Sequence, residues 1–194
     1  MRCYDEGTMH HVQGQPRKAR HISRLEYERI AELGIFDGQR VELLYGTIVE
    51  MSPIGPEHGE SVDRAMEKLV LALRGRARVR IQGAFAASDD SEPQPDVSVL
   101  PPLNYSKANP DKAWLIIEVA MSSLAEDRDK AALYAAANVE EYWIVNLEAG
   151  VVEVYRESDG SAYRSVQIHR RGATIPLAHF PDVALSVDEL LADL

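Results

Sequence analysis

The spacing of apolar residues changes several times along this chain, and each change marks a different element. Across residues 57–73 they fall at Val62, Ala65, Met66, Leu69, Val70 and Leu73. That three-and-four spacing predicts a helix with one buried stripe, stopped at Gly75. Residues 41–45 and 47–51 alternate on either side of Gly46 and predict a hairpin. Ahead of them, Ser23 with Glu26 three residues on is a capping-box signature, for a helix running to Leu33 and ending at Gly34.

Further along, residues 79–87 read as a strand or hairpin arm and 96–100 as a short strand. Residues 114–119 are nearly all apolar, as a strand covered on both faces must be. Ser123 and Glu126 repeat the capping-box pattern ahead of an alanine-rich helix to Ala137. Residues 141–145 form another apolar strand, so strand, helix and strand together predict a crossover between parallel strands. Residues 151–155 and 163–168, joined through Asp159-Gly160, predict a C-terminal hairpin, and 176–194 end in a short helix. This order gives an α/β (α+β) domain with a mixed central sheet flanked by helices. A helix and hairpin precede that sheet and a hairpin follows it. Residues 1–22 are expected to be a mobile tail, and 23–194 a single domain.

The chain has 194 residues, 45% hydrophobic and 27% charged, enough for one domain with a real core. No stretch has the apolar length that spans a bilayer, and the first residues lack the apolar segment of a secretion signal. The single cysteine, Cys3, allows neither an internal disulfide nor a thiolate zinc site and fits a reducing cytoplasm. A net charge of -10 opposes avid binding to a polyanion at long range. Locally, Arg76, Arg78 and Arg80 share one face if their segment is a strand, which is read as a solvated face, and 17–21 form a second basic stretch.

Against that background two carboxylates stand out. Asp96 opens an apolar strand after Pro95, and Glu118 sits inside the strand over 114–119. An unpaired buried charge loses its hydration, so two of them on neighbouring strands call for a compensating cation. Strands lie about 4.8 Å apart, close enough for both to share one ion. Oxygen donors without thiolates favour Mg²⁺ or Mn²⁺. Such an ion activates a water and offsets charge on a phosphoryl group. Lys130, on the following helix, leans back toward that strand end and shares a face with Asp127 and Tyr134. Glu42 lies opposite Val41 and Leu43 in the hairpin and faces either the cleft or water. His58, at a helix start, is either a substrate contact or a plain entry residue. Gln94 is held extended by Pro95.

Several segments taken together are specific. They are RVELLYGTIVEMSPIGPEH (40–58), SEPQPDVSVL (91–100), LIIEVAMSSLAEDRDKAALYAAANVEEYWIVNL (115–147) and VEVYR (152–156). Through them the chain resembles the Uma-two family of restriction-endonuclease-like proteins, in the PD-(D/E)XK nuclease superfamily, over about 25–191. The resemblance implies a restriction-endonuclease-like fold and a Mg²⁺-dependent (or Mn²⁺-dependent) endonuclease acting on DNA, often as a homodimer. It implies Asp96 and Glu118 as metal ligands and Glu42 and Lys130 as further catalytic residues, with His58, Gln94, Asp127 and Tyr134 in contact or supporting positions. The superfamily lysine lies two residues after the acid, but Ala120 stands there, so Lys130 matches the family's migrated lysine.

Two departures follow from the same comparison. Met121 stands where relatives often carry Asp, and the Asp127-to-Lys130 spacing is one residue shorter than usual. One residue turns a helix by about 100°, so the change is either absorbed at the helix start or swings Lys130 aside. The alternative expectations are a catalytically silent binding protein with this fold, or a hydrolase of small phosphoesters.

Overall fold

A computed structural model describes residues 20–191. Most of the expected tail (1–19, with Cys3) and the last three residues, 192–194, lie outside them. Helix α1 (Arg24–Glu32) begins with the expected capping box, Ser23 and Glu26 each satisfying the other's backbone N–H. The buried Tyr27 stacks on Phe36 and donates its hydroxyl to the Val41 carbonyl at 2.9 Å. That contact fixes the first strand of the β1 (Val41–Leu44) and β2 (Thr47–Glu50) hairpin.

The hairpin turn requires left-handed backbone at both central residues, Tyr45 (φ +50°) and Gly46 (φ +73°). A side chain at Gly46 would come within 2.6 Å of the His21 Cβ, so glycine is needed there on both counts. The hairpin docks on the segment leading to Asp96. Leu43 and Glu92 exchange backbone hydrogen bonds, and Tyr45 N–H donates to Ser91 Oγ at 2.8 Å.

Behind the hairpin stands a six-stranded mixed sheet in the order β3-β4-β5-β6-β7-β8. Its strands are β3 (Arg78–Ile81), β4 (Val97–Leu100), β5 (Leu115–Ala120), β6 (Glu141–Asn146), β7 (Val151–Ser158) and β8 (Tyr163–Arg170). Only β5 and β6 run parallel, and helix α3 (Leu124–Ala136) connects them as expected. One sheet face is covered by α2 (Pro56–Leu73), whose Val62, Ala65, Leu69 and Leu73 pack on Val97, Ile117 and Trp143. The other carries Ile116, Tyr134, Tyr142 and Ile144. β5 and β6 are therefore buried on both faces, which explains their unbroken apolar runs. Truncating the fully buried Leu69 to alanine is expected to remove about 2–5 kcal/mol.

A small two-stranded sheet, β9 (Thr174–Pro176) with β10 (Ala184–Ser186), and the short α4 (Val187–Leu190) close the α2 side. No helix among the described residues is long and apolar enough to cross a membrane.

Three local expectations are corrected. The capping box at Ser123 does not form: its backbone (φ −92°, ψ 9°) is not extended as at Ser23, so no helix N–H reaches its hydroxyl, which donates to Asp127 at 2.7 Å. β3 is shorter than the 79–87 expected, since Gln82 turns left-handed (φ +46°) as its N–H reaches the Asp96 carbonyl. Arg76 lies before β3, paired with Asp182 and set over the Phe180 ring, so the three arginines form no continuous strand face.

Candidate active site

The antiparallel register of β4 and β5 pairs Val97 with Ile117, which sets Asp96 beside Glu118. Each carboxylate accepts a backbone N–H from the other's strand. Asp96 N–H donates to Glu118 Oε2 at 3.0 Å, and Val119 N–H donates to Asp96 Oδ2 at 2.9 Å. α3 leaves β5 through a short loop and runs back across this end, presenting Asp127, Lys130 and Tyr134 from one buried face. Lys130 Nζ lies 2.9 Å from Glu42 Oε1 and 3.4 Å from Glu118 Oε1. Tyr134 donates its hydroxyl to Glu118 Oε1 at 2.8 Å. The short Asp127-to-Lys130 spacing therefore leaves Lys130 in the cleft.

Glu42 is buried, not exposed: Tyr27 and Phe36 cover one side of β1, and the cleft takes the other. Gln94 serves it through the backbone, donating its N–H to Glu42 Oε2 at 3.1 Å, while its side chain turns away to the Val41 carbonyl. His58, third residue of α2, places Nε2 at 2.9 Å from Asp96 Oδ1, so it is more than a helix-entry residue. Asp127 is held by Ser123.

The charge balance is lopsided. Glu42, Asp96, Glu118 and Asp127 are all buried, against one ammonium. Burial pushes the Glu118 carboxyl up to about 8; Lys130 opposes this, while Asp96, Asp127 and Glu42 reinforce it. Burial likewise raises Asp127 to about 6 against the pull of Ser123 and Lys130. For Lys130 burial acts downward, but Glu118 and Glu42 outweigh it and hold the amine well above the ordinary lysine range, hence protonated. Burial and the Glu118 charge keep the Tyr134 phenol protonated, as its donor role requires.

An excess of buried carboxylate over ammonium is a site suited to a divalent cation. Asp96 Oδ1, whose partner is the partly buried His58, and Glu118 are hard oxygen donors suited to Mg²⁺ or Mn²⁺. Among the described residues no group of three or more His, Cys, Asp or Glu side chains is set to hold an ion.

These side chains form the floor of a cavity of about 530 Å³ between the hairpin, the start of α2 and the β5–α3 loop. It also exposes residues that the sequence reading passed over. Arg40, two positions before Glu42 and so on the same strand face, lines it and donates to the Ser52 carbonyl at 3.1 Å. Alternation along the strand was the signal for it. Ile54 lines it from a loop, where no periodicity marks it, and Met121, already singled out in the sequence, joins it after β5.

Comparison with known proteins identifies a family and a fold. The Uma2 family model, described as "Putative restriction endonuclease", matches residues 25–188. A crystal structure from Anabaena variabilis, titled as a putative nuclease belonging to DUF820, superposes with a TM-score of 0.70. It is 16% identical, and the match covers 87% of this chain and 97% of that one. No curated protein matches the chain.

Proposed function

Because this chain belongs to the Uma2 family, we propose that it is a divalent-cation-dependent endonuclease that hydrolyses phosphodiester bonds in DNA, with Mg²⁺ or Mn²⁺ as cofactor. The observation that carries this reading is the Asp96–Glu118 pair, locked across β4 and β5 with the Lys130 ammonium beside it. When bound, the cation supplies a water of lowered pKa and offsets charge on the phosphate.

The chain's own groups do the rest. Asp96 and Glu118 hold the ion, and their backbone hydrogen bonds keep both carboxylates from swinging away. Lys130 donates to the attacking water or to a phosphate oxygen, aimed by Glu42. Tyr134 fixes the orientation of Glu118, and His58 that of Asp96. The same reading has the protein act as a homodimer through the β7–β8 hairpin. There β8 is a sheet edge with Val166 and Ile168 exposed.

One observation favours a second reading, a nuclease fold that binds without cutting. Lys130 is already closed on Glu42 at 2.9 Å. Cleavage of supercoiled plasmid and of circular single-stranded DNA in Mg²⁺ or Mn²⁺ separates the two. Cleavage of either by the wild type that is lost in Glu118→Ala supports the nuclease, and a wild type inert on both supports the silent binder.

A further inference from the structure

Three apolar side chains from three separate segments stand exposed on one cavity. Val49 on β2 is 37% exposed, Ile54 in the β2–α2 loop 39%, and Met121 after β5 39%. Scattered exposed apolar side chains are ordinary. Three that converge on a concave site with a polar floor are the construction of a ligand pocket. The floor is the Asp96–Glu118 pair, so whatever lies on this wall sits beside the reacting bond.

The charge at the mouth narrows the choice. Glu50, Glu57 and Glu126 are exposed there, while Arg40 is engaged with Ser52 and Lys130 is buried on the floor. A continuous duplex carries a charge about every 1.7 Å and would press phosphates of both strands against those carboxylates. An unpaired nucleotide brings few phosphates and offers a free base face. A cavity of about 530 Å³ has room for a unit of that size.

We infer that, on the hydrolytic reading above, the substrate is an unpaired nucleotide together with its phosphodiester. The phosphodiester lies on the floor by Asp96, Glu118 and Lys130, and the base lies on the wall of Val49, Ile54 and Met121. Hydrolysis forms one bond from the water oxygen to phosphorus and breaks one P–O ester bond. The departing oxygen takes up a proton, and no electron is transferred. A single strand and a free dinucleotide both present this chemistry.

Fluorescence anisotropy in Ca²⁺ reads the binding of a labelled single-stranded hexamer, its abasic counterpart and a blunt hairpin duplex. Cleavage in Mn²⁺ is followed in parallel, with a dinucleotide added. The single strand is expected to bind about tenfold tighter than the duplex. The abasic strand, and the wild-type strand on Ile54→Ser or Met121→Ser, are expected to lose that margin. Both positions are exposed, so unchanged circular dichroism will show that the fold is intact. Glu57→Gln with Glu126→Gln is expected to raise duplex binding. A dinucleotide cleaved as fast as the hexamer identifies the free dinucleotide as the source, and a slower one identifies the strand. Equal or tighter duplex binding overturns the inference and leaves the hydrolytic reading standing. Single-strand preference without any cleavage keeps the inference for the pocket and sinks the hydrolytic reading. No binding of any strand overturns both.

Discussion

Asp96 and Glu118 are tied to each other's strands: Asp96 N–H donates to Glu118 Oε2 at 3.0 Å, and Val119 N–H returns a bond to Asp96 Oδ2 at 2.9 Å. Two buried carboxylates are thus held side by side by the same backbone that makes the sheet. The fold supplies the preorganisation, and the charge excess is one that a bound cation would offset.

Lys130 is the group on which the charge balance of the site rests. Lys130→Met leaves Glu42 and Glu118 buried without an opposite charge. Such a loss is expected to destabilise the fold by about 3 kcal/mol at pH 8. At pH 5 the loss should be smaller, because the raised Glu118 and Asp127 carboxyls then take up protons and shed the charge. Urea unfolding at the two pH values measures the difference.

Tyr134→Phe removes only a hydroxyl, the one donated to Glu118. Stability should fall by about 1 kcal/mol. Nicking should slow by about tenfold through kcat with KM little changed, since the phenol orients a ligand and does not bind substrate. An unchanged rate would remove Tyr134 from the positioning role.

Much of this was legible along the chain, and the misses have physical causes. β5 and β6 showed themselves as unbroken apolar runs because both faces are covered. Asp96 and Glu118 stood out because charge inside such runs demands compensation. Glu42 was ambiguous, since alternation in a hairpin looks the same whether the polar face meets water or a cleft. His58 meets Asp96 across 38 positions of sequence, a pairing that no local spacing encodes. The Ser123 cap failed because the backbone there is not extended (ψ 9°), a conformation that the Ser-to-Glu spacing does not encode.

Glu92 sets a pH dependence of stability apart from the site. Burial, and next the Glu28 carboxyl, raise it from 4.5 to about 7, and its Oε2 is buried without a partner. Between those values the native state holds more protons than the unfolded one, so this contribution to stability falls as pH rises from 4.5 toward 7. Glu92→Gln should flatten that part of the profile and gain about 1 kcal/mol at pH 8, with no gain at pH 4. Thermal unfolding across the range is the check.

The exposed edge of the sheet bears on assembly. Val166 and Ile168 are 51% and 58% exposed on β8, where unpaired backbone can join a second copy. The wild type is expected to sediment as a dimer and Val166→Lys with Ile168→Lys as a monomer of unchanged circular dichroism. A monomeric wild type removes this contact.

The most direct measurement is calorimetric titration of Mn²⁺ into the wild type and into Asp96→Ala. One ion per chain in the wild type and none in the variant, with the variant still folded, is the expected result. Equal binding by both, or none by the wild type, would contradict a cation site at Asp96 and Glu118.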